Sequence, residues 1–150
     1  MSANKRAGAA DLQLGALLAD AVRLLRKDFY QRAKGLKLTP ALGRLLFYIA
    51  RNPGFSQADL AAKLEVTPVT VSRMVDRLVN SRYVRRVPDA GDRRVYRLAL
   101  ERAGEPLIGR MTQLSFQTTA RALRGLSKQD RTRLAAQLAI LCNNLSNDDV

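Results

Sequence analysis

Between Leu78 and Leu100 the hydrophobic spacing of this chain changes period, and after Leu100 it changes back. Few folds accommodate such a switch. Val71, Met74, Val75 and Leu78 recur at i, i+3, i+4, i+7, the spacing of one buried helix face. From Tyr83 onward, "YVRRV" and "RRVYRLAL" alternate in twos around "PDAGD", as the two strands of an antiparallel ribbon do. The helical period then resumes at Glu101. This order predicts a mainly α fold with one small β-ribbon set between helices.

The flanking segments carry their own punctuation. Residues 1–10, "MSANKRAGAA", are small, polar and basic and read as a flexible tail. From Asp11 to about Ala33, Leu14, Leu17, Leu18, Ala21, Val22, Leu24, Leu25 and Phe29 predict a long amphipathic helix. "GLKLTP" breaks it. Thr39 as N-cap and Pro40 at the first helical position start a second helix that runs to about Arg51. Ser56 and Asp59 form a capping signal for a third helix through Leu64. Thr67 and Pro68 open a fourth, to about Ser81. Beyond the ribbon, Leu107, Met111, Leu114, Ala120 and Leu123 predict a helix, and Leu134, Leu138, Leu141 and Leu145 another, with Ser127 as its cap. Cys142, beside Leu138 and Leu141, reads as a small buried hydrophobe. "NDDV" closes the chain as a short acidic tail.

Charge narrows the function. Lys and Arg number 26 against 13 Asp and Glu, a net +13, which calls for a polyanionic partner, nucleic acid before an anionic membrane. With no His and one Cys, His-based catalysis, Cys/His zinc sites and intrachain disulfides are excluded, and no metal or other cofactor is implied. There is no phosphate-binding Gly loop and no nucleophile–base pairing, so an enzyme is not expected. Asp11, Gln13 and Asp20 interrupt the first Leu-rich stretch, leaving no signal peptide or membrane span and predicting a cytoplasmic protein.

Residues 56–80 have the form of a helix-turn-helix. Leu60, Ala61 and Leu64 face inward on its first helix and Val66 fills the turn. On its second helix Thr67, Val69, Thr70, Arg73 and Arg77 are left facing outward. Short hydroxyls and long cations suit a helix that enters the major groove; the plainer alternative is a solvated helical hairpin. A basic ribbon directly after it makes a winged helix, with Arg86, Asp92, Arg93 and Arg94 as the DNA-facing residues of the wing. An Arg inserted into a narrow minor groove meets concentrated negative potential. Asp92, two residues before Arg94, is placed to pair with that guanidinium and aim it.

In order, the Leu-Thr-Pro helix start, "SQADLAAKL", "TPVTVSRMVDRL" and "PDAGDRR" resemble the core of the MarR family of bacterial transcription regulators, over about residues 38–105. The resemblance implies a homodimer, recognition-helix contacts from Thr67, Pro68, Val69, Thr70 and Arg73, and a wing centred on Asp92 and Arg94. It divides the chain into a winged helix-turn-helix over 37–100 and a dimerisation region over 11–36 and 101–146. Long apolar stripes on the terminal helices argue independently for a dimer, since one small winged helix could not cover them.

The function expected is a repressor of a pseudo-palindromic operator in double-stranded DNA. The alternative is a sequence-nonspecific architectural DNA-binding protein, which the charge would also support. The resemblance further implies a cleft for a small aromatic or phenolic effector, with Phe29, Tyr30, Phe47, Tyr48 and Arg51 as candidate lining; aromatics at this spacing also suit a plain core. Two departures from the family pattern stand out. Arg82-Tyr83-Val84 replaces the usual Gly-Leu-Val, and Leu100-Glu101, followed by Pro106, replaces the usual Leu-Thr.

Overall fold

The computed structural model describes residues 3–92 and 94–146. The elements follow in the order α1 (Ala3–Arg32), α2 (Pro40–Arg51), α3 (Gln57–Leu64), α4 (Pro68–Asn80), β1 (Val84–Pro88), β2 (Tyr96–Leu100), α5 (Glu105–Ala122) and α6 (Lys128–Ser146). The strands form one antiparallel pair, with Val84 opposite Leu100 and Pro88 opposite Tyr96. Among the described residues no helix is long and apolar enough to cross a membrane.

Start signals act as the side chains require. The Thr39 hydroxyl accepts from the Leu42 N–H at 3.3 Å. Ser56 and Asp59 cap each other reciprocally, and the serine's hydroxyl and N–H hold the Asp59 carboxyl below its usual pKa. The ends of α3 and α4 are closed by residues with positive φ. Glu65 (φ 53°) ends α3, and the Val66 N–H reaches back to the Ala61 carbonyl. Arg82 (φ 57°) ends α4, and the Tyr83 N–H bonds the Leu78 carbonyl at 2.9 Å. Both are the left-handed closures that usually take glycine. Arg82, with a Cβ, adopts this conformation at a steric cost.

The core lies where α2, α3, α4 and the ribbon meet. Leu42, Leu45, Leu46 and Ile49 pack with Leu60, Ala61, Leu64, Val71, Val75, Leu78, Val84 and Leu98 in one buried cluster. Met111 of α5 is also buried. Burial at about 25 cal/mol per Å² of apolar surface is the main force holding these elements together.

Four expectations need correction. The first helix begins at Ala3, not Asp11, so residues 3–10 are not a loose tail. Ala3, Lys5, Arg6, Ala7, Ala9 and Ala10 are strong helix formers, and their propensity outweighs the missing apolar stripe. Val66 does not fill the turn: it is exposed, because the backbone closure at Glu65 makes the turn without it. Cys142 is exposed rather than buried, since no residue of α6 is buried. The "GLKLTP" break is partly helical, a 3-10 turn over Ala33–Leu36. The "NDDV" tail lies outside the described residues.

The ribbon meets α5 at Gly104. A Cβ added there would lie 2.7 Å from the Tyr83 carbonyl oxygen and 2.8 Å from Leu100 Cδ1. Pro106 follows in the first turn of α5, where its missing N–H costs no hydrogen bond. Gly104→Ala should therefore lower unfolding stability by about 1–3 kcal/mol through overpacking against backbone. Urea unfolding checks this: the midpoint should fall with an unchanged slope.

Candidate nucleic-acid interface

The packing of α4 decides which of its residues face outward. Val71, Val75 and Leu78 are fully buried and Met74 half-buried, so Thr67, Pro68, Val69, Thr70, Arg73 and Arg77 are all exposed on the other side. The structure thus brings the whole recognition-helix set onto one surface. Within it, the Thr67 hydroxyl caps the helix by accepting from the Thr70 N–H, and the two threonine hydroxyls bond each other at 2.9 Å.

The wing tip is built on two aspartates with different tasks. Asp89 makes the turn: its Oδ1 accepts from the N–H groups of Gly91 and Asp92 at 2.8 and 3.1 Å. Its Oδ2 accepts from Arg97 Nε at 2.6 Å. That Arg97 bond, with the two backbone N–H groups behind it, holds the Asp89 carboxyl at a pKa of about 2. Asp92 instead faces Arg94. Its Oδ1 accepts from the Arg94 N–H at 2.9 Å and from Nε at 3.2 Å, and its Oδ2 accepts from Nη2 at 3.3 Å. The bidentate fork fixes the guanidinium plane, while the Arg94 side chain remains 91% exposed. Arg94 also holds the Asp92 carboxyl below its ordinary pKa.

Of the other wing residues, Arg93 lies outside the described residues. Arg86 is not brought to the tip. It turns back to α4, where its Nη2 donates to Asp76 at 2.6 Å and braces β1 against the helix. Arg97 was missed by sequence reasoning. It joins Asp89 to the α2–α3 loop through Nη1 to the Gly54 carbonyl at 3.1 Å and lies 3.9 Å from Asp59. The Leu98 N–H adds a bond to the Phe55 carbonyl at 3.1 Å. The wing is thereby fastened to the helix-turn-helix on two sides. A short-range sequence signal could not have found Arg97, since Gly54 lies 43 residues away.

All five candidate effector residues come together as well. Phe29, Tyr30, Phe47, Tyr48 and Arg51 line one cleft of about 870 Å³ between α1, α2 and α5. The four aromatics are half-buried. Phe29 and Tyr30 meet edge to face at 5.6 Å, and the Arg51 guanidinium lies 5.4 Å from the Phe47 ring centre. Arg26, Lys34 and Arg44 add charge to the lining, which among the described residues includes no acid. Beside the cleft, Asp28 of α1 accepts from Arg32 at 2.6 Å, from Thr118 of α5 at 2.8 Å and from Arg121. These donors, Arg32 first, hold the Asp28 carboxyl at a pKa of about 2.

A helix-turn-helix whose wing presents an aspartate-held arginine is matched, over residues 36–95, by the model of the MarR family. Residues 36–95 are a MarR-family domain. Solved structures agree across nearly the whole fold. The transcriptional regulator PA3341 is 27% identical, with a TM-score of 0.79 over 89% of this chain and 98% of that one. MarR is 27% identical, with a TM-score of 0.76 over 89% and 90%. The transcriptional repressor CouR, solved bound to a 23-mer DNA duplex, is 27% identical, with a TM-score of 0.71 over 86% and 92%. Members of the MarR family are transcriptional regulators rather than enzymes.

Acid should loosen the wing in a defined window. Because Asp89 has a lower pKa folded than unfolded, the unfolded chain binds more protons as pH falls, and stability drops. Its contribution is complete above the ordinary value of 3.8 and disappears as pH falls towards about 2. Asp89→Asn should lower stability at neutral pH and make the pH dependence of unfolding shallower between those limits, leaving the share of Asp28 in place. Unfolding curves at stepped pH measure both effects.

Proposed function

We propose that this MarR-family regulator is a homodimeric repressor that binds a pseudo-palindromic operator in double-stranded DNA and is released by a small anionic aromatic effector. The observation that carries the DNA reading is the pairing of two exposed basic features on one body: the Arg73–Arg77 face of α4 and the Asp92-held Arg94 of the wing. The first suits base edges in the major groove, the second the adjoining minor groove. The net charge of +13 supplies the salt-dependent attraction that any duplex would feel. The repressor assignment rests on likeness to CouR, a transcriptional repressor solved on DNA.

Dimerisation is supported by apolar surface that the protomer leaves open. Leu12, Leu14, Leu17, Val22 and Leu24 on α1, Phe116 on α5, and Ile140 and Leu145 on α6 are exposed, Phe116 by 72% and Leu145 by 79%. Surfaces of this kind, concentrated on the terminal helices, are those an obligate partner covers. Two-fold symmetry would then present two α4 helices to half-sites about one DNA turn apart. For the effector, the cleft volume falls in the range of small-molecule sites. Its aromatic walls suit a flat apolar body, and Arg51 with its neighbouring cations suits a carboxylate.

Sedimentation equilibrium at micromolar concentration should return twice the chain mass; a folded monomer that persists on dilution overturns the dimer. For DNA, titration against a selected duplex and its scrambled counterpart at fixed salt separates operator recognition from nonspecific coating. Asp92→Ala gives the sharper contrast. By charge alone, loss of an acid should tighten binding. If Asp92 aims Arg94, the freed guanidinium must be reordered on the DNA at a cost of about 0.5–1.5 kcal/mol, and specific affinity falls. The double variant with Arg94→Ala should lose little more than Arg94→Ala alone, because the pair acts as one unit. Tighter operator binding by Asp92→Ala overturns the aiming role.

A further inference from the structure

Val69 is an apolar side chain on the outward face of α4, beside Pro68, Thr70 and Arg73. It is 63% exposed, at the second position of the helix. A lone exposed valine needs no explanation on an arbitrary surface. Here its neighbours give it one. Thr67 and Thr70, the polar residues beside it, are tied to each other and to the first-turn backbone. Pro68 has no N–H to offer. On the ridge Val69, Arg73, Arg77, spaced i, i+4, i+8, the leading side chain is therefore a pair of methyl groups followed by two guanidiniums.

Only one base pair presents a methyl in the major groove, and that methyl belongs to thymine. We infer that Val69 is a specificity-determining residue that packs on the 5-methyl group of one thymine in each half-site. The inference rests on the operator reading above. Geometry also fixes where the thymine lies. Four residues of α-helix rise about 6 Å, against about 3.4 Å per base step. The thymine should therefore fall within about two base pairs of the position read by Arg73. Burying the methyls against each other removes apolar surface from water on both sides, worth about a three- to fivefold affinity change per half-site.

The test uses the full chain and a duplex obtained by selection from a random double-stranded library. Each thymidine of the enriched site is replaced in turn by deoxyuridine, which deletes the methyl and keeps base pairing. Wild type should lose about three- to fivefold at one thymidine per half-site, within about two base pairs of the position whose preference Arg73→Ala relaxes. Val69→Ala should bind the thymidine duplex more weakly and be indifferent to that replacement. Val69→Ile, which keeps the methyls, should remain sensitive. An exposed position makes all three proteins comparable in fold, and matching unfolding curves check this. An enriched site at which wild type ignores every thymine methyl, or at which Val69→Ala retains the full sensitivity, overturns this inference alone. Enrichment of no sequence overturns the operator reading, and this inference with it.

Discussion

The roll of α4 about its own axis governs what this protein can present to a partner. Val71, Val75 and Leu78 enter the core shared with Leu45, Leu46 and Ile49 of α2. At 3.6 residues per turn, burying that stripe leaves no freedom over which residues oppose it. Arg73 and Arg77 point outward because their neighbours are dry. A rotation of one residue would expose Val75 and bury Arg73 uncompensated, which is far costlier than any gain on the outer face. Core packing and the outward presentation of Arg73 and Arg77 are thus the same constraint seen from two sides of one helix.

The wing depends on that helix in turn. Leu98 and Val84 belong to the same core, so the strand pair is anchored by burial at its base. Charge then sets its direction. Arg86 to Asp76 ties β1 to α4, and Arg97 to Asp89 and Gly54 ties β2 to the loop before α3. These pairs are partly exposed, and each adds little to global stability. Their effect is positional: with the base held from two sides, the Asp92–Arg94 fork at the tip keeps a fixed relation to the ridge of α4. A chain with twice as many bases as acids has nevertheless set several of its acids where an arginine must be steered.

On the opposite side, α1 and α5 pack together beside the aromatic cleft, and Asp28 joins them. Thr118 both lines the cleft and donates to Asp28. The contact between the helices and the shape of the cleft therefore share a residue. Because α5 begins at Glu105, directly after Gly104, which is pressed against Tyr83 at the root of the ribbon, the same helix runs from the cleft to the base of the wing.

The sequence by itself determined the elements and their order. Helix caps at Thr39, Ser56 and Thr67 act over three residues, and the period switch at Tyr83 is equally local, so both can be read along the chain. The stripe Val71, Met74, Val75, Leu78 likewise named the inner face of α4, and with it the outer residues. The Asp92–Arg94 pair was legible because its partners are two residues apart. Burial of single side chains was not, since it depends on what arrives from elsewhere. Val66 and Cys142 look like core in sequence and are exposed, because no neighbouring element of the chain covers them. The start of α1 was hidden because propensity without an apolar stripe leaves no periodic signal. Only the tertiary structure decided the long-range polar contacts. Arg97 finds Gly54 across 43 residues, Asp28 finds Thr118 across 90, and Arg86 turns from the wing tip to Asp76. Hydrogen bonds of this kind are specified by distance and direction in space, and a linear order of residues carries neither until the core has closed.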